Sequence, residues 1–319
     1  MHPIELITLD LDETLWPCMA AIQRAETALH DWLGQRAPRL AQAMALGDLR
    51  AHRRDLMAQR PAIAHDVTLV RRTSLELLLE DFGHDPALAA EAMDLFMAHR
   101  NQVDPYPDVI PVLSVLTADF KLVSVTNGNA DPAKTPLRGL FRLSLTAGEV
   151  GAARPDPALF QAALDWAGLA PHQALHVGDH PLYDVQAARD HGLHALWLNR
   201  QGLPWPEELE PPMAEIADLH GLLTWLADTA GGRLAASTNT LVGWYQFDEG
   251  GGLFANDTSP SANHGSLQNG PVWVSGKTGG ALSFDGVNDF VRLGTNLSPW
   301  LGGSASLTAW IKTTQTGDN

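Results

Sequence analysis

Short apolar runs recur along the first two thirds of the chain, and each is followed by a segment with helical spacing. The runs are "IELITLDL", "KLVSVTNG", "QALHVGD" and "HALWLN". Continuous apolar runs of this length are typical of parallel strands that helices cover on both faces. The pattern therefore predicts an α/β fold built on a parallel sheet.

A long stretch without strand signal separates the first of these strands from the second. Leucine and alanine recur there at helical spacing, as in "CMAAIQRAETALHDWL", "LVRRTSLELLLEDF" and "LAAEAMDLFMAHR". We expect residues 16–103 to form a helical insert, called the cap below. The α/β core would then comprise residues 1–15 and 104–228.

The pattern changes after residue 228. Residues 229–240, "TAGGRLAASTNT", are small and polar, which is typical of a linker. In residues 241–319, period-two runs such as "LVGWYQF", "ALSFDG", "DFVRLG" and "SLTAWIKTT" alternate with turns. This last part is predicted to be an all-β segment.

Length, charge and cysteine content narrow the protein class. A chain of 319 residues is long enough for two units. Its net charge of −16, from 37 acidic and 21 basic residues, opposes binding to nucleic acid or to an anionic membrane. The single cysteine, Cys18, excludes an intramolecular disulfide and suits a reducing compartment. No run approaches the ~20 apolar residues of a membrane helix, so we expect a soluble, cytoplasmic protein with neither nucleic acid nor membrane as a partner.

Polar residues that could take part in catalysis or binding follow the predicted strands. In open α/β sheets, residues at these positions meet beyond the carboxyl ends of the strands. They are Asp10 and Asp12 after the first run, Thr126, Asn127 and Gly128 after the second, Asp179 and Asp184 after "ALHVG", and Arg154 before "PDPALF". We expect them to form one site.

The acids of this set favour a divalent cation. Asp10 and Asp12 are two positions apart, so in an extended strand their side chains would point the same way and repel each other. Mg²⁺ offsets such repulsion, prefers oxygen ligands, and leaves places for water and phosphate. Asp179 and Asp184 add further acids. Thr126, backbone amides and Arg154 would hold phosphate oxygens.

Four segments, "DLDET", "VSVTNGN", "ARPDPALF" and "GDHPLYD", resemble in order the motifs of the haloacid dehalogenase (HAD) superfamily. The resemblance covers about residues 4–228 and implies a Rossmann-like fold with phosphatase activity. An insert directly after the first motif resembles the C1 cap of this superfamily, which acts as a lid and favours small substrates. Phosphorylated metabolites are therefore the expected substrates.

The resemblance implies roles for the four acids. Asp10 would be the nucleophile that forms an aspartyl-phosphate, and it would bind Mg²⁺. Asp12 would protonate the leaving oxygen and later activate water, while its backbone carbonyl binds the metal. Asp179 would ligate the metal, and Asp184 would orient the ligands around it.

The resemblance also implies that Thr126 and Arg154 hold the transferring phosphoryl group, with Asn127 and Gly128 beside it. The family usually has lysine at the position of Arg154. A guanidinium can donate two parallel hydrogen bonds, whereas an ammonium acts as a point charge. We therefore expect this chain to keep the reaction of the family but at an altered rate.

The segment "HDVTLVRR" of the cap has two interpretations. Its His65 and Arg71 could reach the substrate when the cap closes over the site. Alternatively, Asp66 or Thr68 begins the next helix and the arginines face solvent. Together with "VTNGNADP" and "LHVGDHPLYDVQAARDHGLHALWL", this segment resembles the bacterial FMN and 5-amino-6-(5-phospho-D-ribitylamino)uracil phosphatases of riboflavin biosynthesis.

Other activities remain open at this point. A phosphatase for nucleotides or sugar phosphates, or a phosphomutase, would keep the same acids. A haloacid dehalogenase uses the same nucleophile on carbon but lacks the acid found here as Asp12. A non-catalytic binding protein would be expected to lose Asp10 or Asp179, and both are present.

The all-β segment resembles the opening half of a laminin-G-like, concanavalin-A-type jelly roll, most specifically in "GGALSFDGVNDFVRLG". Several strands of such a jelly roll are missing, so we expect a partial module with unpaired edges. Unpaired edges favour self-association. We assign this segment no function and expect the enzyme to fold without it.

Overall fold

A computed structural model describes residues 3–229, 243–259, 263–277, 279–293, 309 and 311–313. The chain forms two compact units, Met1–Ala230 and Gly231–Asn319. The predicted linker falls outside the described residues except for Thr229, which ends a helix.

The first unit is built on a parallel sheet of six strands with the order β3-β2-β1-β4-β5-β6. The strands are β1 (Leu6–Leu9), β2 (Lys121–Thr126), β3 (Leu143–Thr146), β4 (Ala174–Gly178), β5 (His194–Leu198) and β6 (Glu215–Ile216). The four predicted apolar runs are β1, β2, β4 and β5, and they form the four central strands. The predicted α/β fold is confirmed.

Helices surround this sheet. In the core they are α6 (Val109–Leu116), α7 (Ala147–Val150), α8 (Ala158–Ala167), α9 (Ala187–Asp190) and α10 (Leu219–Thr229), with a π-helical turn at Pro181–Gln186 and 3-10 turns at Pro132–Lys134 and Pro171–Gln173. The apolar faces of these elements pack on the sheet. Phe160 and Leu164 of α8, for example, are buried against Val123 and Val125 of β2 in one cluster.

Helices also fill the cap, as its spacing predicts. They are α1 (Cys18–Arg36), α2 (Pro38–Ala43), α3 (Leu46–Gln59), α4 (Val67–Asp81) and α5 (Leu88–Arg100), with a 3-10 turn at Pro61–Ile63. An apolar cluster separate from the sheet contains two leucines of α1, three leucines of α4 and Phe96 of α5; the leucines are Leu29, Leu33, Leu75, Leu78 and Leu79. The cap therefore has its own hydrophobic core.

Asp66 begins α4, because its carboxylate accepts hydrogen bonds from the backbone N–H groups of Thr68 and Leu69. The second interpretation of this segment is therefore right for Asp66. It is wrong for Arg71, whose side chain is only 12% exposed, whereas that of Arg72 is 56% exposed.

The second unit contains short antiparallel strands. They are β7 (Phe254–Ala255), β8 (Gly265–Gln268), β9 (Val272–Ser275), β10 (Gly280–Ser283) and β11 (Phe290–Arg292). Among the described residues, β11-β8-β7 form one sheet and β9 pairs with β10. Strands are present as predicted, but the laminin-G-like resemblance is not confirmed.

Two predicted strands of this unit have a different outcome. "LVGWYQF" is not a strand where it is described, since Tyr245 makes only an isolated bridge to Asp257. "SLTAWIKTT" lies largely outside the described residues. No helix in the described part of the chain has the length and apolar content needed to cross a membrane.

Candidate active site

The predicted site residues of the α/β core meet at the carboxyl edge of the central strands. Asp10 follows β1, Thr126 ends β2 and Asp179 follows β4. Because β1 lies between β2 and β4, these three positions are neighbours along one edge of the sheet.

Three of the predicted carboxylates form a group that could hold a metal ion. Asp10, Asp179 and Asp184 each offer an oxygen, and these atoms all lie within 4.8 Å of one another. Such a set of carboxylate oxygens fits the preference of Mg²⁺ for hard oxygen ligands. The residues present therefore suit the predicted cation.

Arg154 is buried beside two members of this group. Its Nη2 pairs with Asp10 and its Nη1 pairs with Asp184. Burial raises the pKa of Asp184, but the charge of Arg154 and the hydrogen bonds from His176 and from the backbone N–H of His180 together outweigh burial, and the pKa falls to about 2. The same two carboxylates raise the pKa of Arg154 above its usual value, against the effect of burial. A permanent cation thus neutralises part of the acid cluster.

The negative charges of Asp10 and Asp179 are only partly neutralised. Burial raises the pKa of Asp10 well above its usual value, and Arg154 only partly opposes this. Burial, followed by repulsion from Asp184, raises the pKa of Asp179 to about 7. A divalent cation at this place would favour the ionised form of both groups.

The carboxylate of Asp12 has different partners. Nη2 of Arg100 donates to both of its oxygens at 2.6 Å, and Nε1 of Trp16 donates at 2.9 Å. Strand β1 ends at Leu9, so the alternation expected to align Asp12 with Asp10 does not extend this far. Asp12 lies next to the metal-type cluster rather than within it.

Thr126, Asn127 and Gly128 form the loop after β2. The hydroxyl of Thr126 accepts the N–H of Gly128 at 2.9 Å. A Cβ at Gly128 would lie 2.8 Å from an oxygen of Asp12, so this position has no room for a side chain. Asn127 bonds the backbone N–H and C=O of Arg154. It therefore fixes the chain that carries Arg154.

Asp184 is held by a close approach to the backbone, and Asp179 is held by hydrogen bonds. A Cβ at Gly178 would lie 2.2 Å from Cγ of Asp184, so glycine is needed for this approach. The hydroxyl of Thr14 donates to Asp179 at 2.8 Å, and the backbone N–H of Asp179 donates back to Thr14 at 3.1 Å.

His176, in the middle of β4, contacts the carboxylate of Asp184. Its Nε2 lies 3.2 Å from Oδ1 of Asp184, and its Nδ1 lies 2.9 Å from the hydroxyl of Thr8. Burial lowers the pKa of His176, although its hydrogen bond to Asp184 opposes this. Nη1 of Arg154, which can only donate, lies 3.3 Å from the same nitrogen, so Nε2 faces both a donor and an acceptor.

The two predicted cap residues have no hydrogen bond or ion pair with the acid cluster among the described residues. His65 is half-buried in the turn before α4, and no hydrogen bond or ion pair between described residues joins it to the site. Arg71 stacks over the ring of Phe96 at 3.8 Å and pairs with the buried Glu26 at 3.4 Å. Neither is brought to the carboxylates by a direct contact.

Sequence reasoning missed Arg100 and His176. His176 left a signal, since it is a polar residue inside the apolar run "QALHVGD". Arg100 left none, because an arginine at the end of a helix usually faces solvent or interacts with the helix dipole. Its contact with Asp12 spans 88 positions of sequence and depends on how the cap packs against the core.

Comparison with known proteins gives a consistent family. Residues 4–192 match the model of haloacid dehalogenase-like hydrolases. A 5-amino-6-(5-phospho-D-ribitylamino)uracil phosphatase of Escherichia coli is 30% identical over 227 residues, which cover 69% of this chain and 94% of that protein. A phosphoserine phosphatase of Thermus thermophilus is 36% identical over 147 residues, 44% of this chain and 59% of that protein.

Solved structures include a close fold match. The crystal structure of a 2-haloacid dehalogenase from Pseudomonas syringae is 40% identical, covers 70% of this chain and 99% of that one, and has a TM-score of 0.66. The matched proteins thus carry names of both phosphatases and dehalogenases.

Proposed function

The chain belongs to the haloacid dehalogenase-like hydrolase family, and from this premise we propose that it is a Mg²⁺-dependent phosphatase for small phosphate monoesters. The cluster of Asp10, Asp179 and Asp184 around Arg154 carries the proposal. Relatives named as phosphatases and a nucleotidase support a phosphoric monoester hydrolase.

In the proposed reaction, Asp10 is the nucleophile. Arg154 holds Oδ1 of this carboxylate, which orients the group and balances its charge. Oδ2 attacks phosphorus, the bond to the ester oxygen breaks, and an aspartyl-phosphate forms. Bound Mg²⁺ would neutralise the developing negative charge on the phosphoryl oxygens.

Asp12 is the general acid for the leaving group and later the general base for water. An alkoxide is a poor leaving group, so it needs a proton as the bond to phosphorus breaks. Asp12 supplies that proton, and its carboxylate then takes a proton from the water that hydrolyses the aspartyl-phosphate. The net products are the alcohol and inorganic phosphate, and both carboxylates return to their starting state.

Thr126 and Arg154 complete the phosphate site. The hydroxyl of Thr126 lies at the same edge as Asp10, and because its oxygen accepts the N–H of Gly128, its own O–H is left as a donor for a phosphoryl oxygen. Arg154 is a charged donor beside the nucleophile. Its fork takes the place of the lysine expected from the resemblance.

FMN and 5-amino-6-(5-phospho-D-ribitylamino)uracil are the proposed substrates. The E. coli relative, which aligns along nearly its full length, is named for the second of these esters and supports that choice. FMN is proposed from the motif resemblance. Nucleotides and sugar phosphates are the alternatives, as is a phosphomutase reaction. A phosphate-release assay over these esters, with and without Mg²⁺, distinguishes the phosphatases, and a product assay with a bisphosphate activator detects a mutase.

Dehalogenation is the second candidate, because the P. syringae structure carries that title. Halide leaves without a proton, so a dehalogenase has no use for an acid at the position of Asp12. Halide release from 2-chloropropionate in the absence of phosphatase activity would establish this candidate and reject the phosphatase.

A further inference from the structure

Arg100 is a cap residue that reaches into the active site of the core. It ends helix α5 and its side chain is only 2% exposed. Its Nη2 donates to both carboxylate oxygens of Asp12. Burying a guanidinium costs free energy unless its N–H donors are paired. The partners of the other terminal nitrogen of Arg100 therefore show whether this cost is offset.

That second nitrogen, Nη1, is buried and has no hydrogen-bond partner among the described residues. Its neighbour Nη2 lies 3.7 Å from the place of a Cβ on Gly128, in the loop after β2. The fork thus lies where Asp12, this loop and the cap meet. An unpaired, charged donor at such a junction costs free energy that an oxygen acceptor would recover.

The surrounding charge also favours an acceptor. Arg53 and Arg71 share the buried Glu26 with Arg50, so positive charge exceeds negative charge in this part of the cap. Burial and the nearby Arg53 lower the pKa of Arg71 to about 9, and Arg100 contributes in the same direction. A ligand group here should bring lone pairs rather than another proton donor.

We propose that Arg100 is a substrate-binding residue whose Nη1 donates to an oxygen on the carbon adjacent to the one that bears the phosphate. This rests on the proposed function, in which Asp12 meets the ester oxygen. A general acid lies about 2.6–3.2 Å from the atom it protonates. The guanidinium is planar, so Nη1 is fixed beside the nitrogen that holds Asp12. Among the substrate oxygens outside the phosphate group, one on the adjacent carbon is the nearest to the ester oxygen, so it is the acceptor that we assign to Nη1.

The substrate class follows from this position. Phosphate esters of polyols and sugars have a hydroxyl on that carbon, and simple alkyl phosphates do not. A site with a buried donor rejects an analogue that lacks the matching acceptor, because the donor then stays unpaired. Arg100 would thus determine specificity for hydroxylated alcohols.

The test compares propyl phosphate with its 2-hydroxy and 3-hydroxy derivatives. For the full-length chain with Mg²⁺ we expect kcat/KM to favour the 2-hydroxy ester over the other two by about tenfold or more, the worth of one charged hydrogen bond. Arg100→Lys keeps a cation for Asp12 but has no second nitrogen, so it should lose this preference. Arg100→Met should lose it as well.

Arg36→Met is the matched control. Arg36 also ends a cap helix, but it is exposed and pairs with Glu91 at 3.3 Å. The preference of the Arg36→Met variant for the 2-hydroxy ester should equal that of the wild type. Far-UV circular dichroism checks that each variant is folded.

The ratio of activities decides the outcome. Equal activity on all three esters in the wild type, or a preference that persists in both Arg100 variants, overturns the proposal and leaves the phosphatase in place. If the wild type hydrolyses no ester, the proposed function fails. Calorimetric binding of the same three esters to Asp10→Asn, alone and combined with Arg100→Lys, then gives the preference for the 2-hydroxy ester without turnover.

Discussion

Replacing Arg154 with methionine should strongly destabilise the core, because it leaves two buried carboxylates without their cation. The side chain of Arg154 is 3% exposed, and those of Asp10 and Asp184 are 9% and 2% exposed. Removing one partner of a buried ion pair costs about 3–5 kcal/mol, since the remaining charge stays in a low-dielectric environment. We expect a loss of this size in the free energy of unfolding.

The assay is urea unfolding of the full chain, followed by far-UV circular dichroism. All helices of the described residues belong to the first unit, so this signal reports on the core and cap. Arg154→Lys is the matched control. It keeps the charge but presents one nitrogen, so its loss should be smaller, about 1.5–3 kcal/mol for one charged hydrogen bond.

Mg²⁺ provides an internal check on the cause. If the free carboxylates destabilise Arg154→Met, the cation should stabilise this variant more than it stabilises the wild type. The comparison is between unfolding in EDTA and unfolding in Mg²⁺. A loss below about 1 kcal/mol, or equal stabilisation of both proteins by Mg²⁺, would refute the view that Arg154 and a cation neutralise the same acids.

Three further predictions concern the site and the chain. Folding raises the pKa of Asp179 from 3.8 to about 7. The contribution of Asp179 to the stability of the metal-free protein is therefore fully present below pH 3.8 and is lost as the pH rises through 7. Unfolding in EDTA at several pH values should show this decline, and the decline should be weaker in Asp179→Asn. Gly178→Ala should weaken Mg²⁺ binding measured by calorimetry, because a Cβ collides with Asp184, whereas Gly34→Ala, with no atom within 4 Å of the added Cβ, should bind normally. Residues 1–230 alone should keep the phosphatase activity of the full chain, and its loss on truncation would contradict the independence of the first unit.

The central sheet could be predicted because its strands are buried on both faces and read as continuous apolar runs. Strands β3 and β6 were missed for physical reasons. Every residue of β3 is only half-buried, and β6 is two residues long. Edge strands of this kind have little apolar content to distinguish them from loops.

The family and the acids of the site could also be predicted, since motif spacing places them after known strands. The HAD-like family is confirmed by the match over residues 4–192. Mg²⁺ and the individual residue roles stay predictions. The partner of Asp12 could not be predicted, because Arg100 reaches it only through the packing of the cap on the core. The same limit applies to Arg71, whose pairing with Glu26 joins α4 to α1 within the cap.

Phosphate release by the wild type and by Asp10→Asn, with and without Mg²⁺, is the most direct test of the proposed chemistry. The ester panel should include FMN, 5-amino-6-(5-phospho-D-ribitylamino)uracil, nucleoside monophosphates and sugar phosphates. We expect Mg²⁺-dependent release that disappears in the variant, with a preference for the riboflavin-type esters. Undiminished release by Asp10→Asn, or no release from any ester, would contradict Asp10 as the nucleophile of a phosphatase.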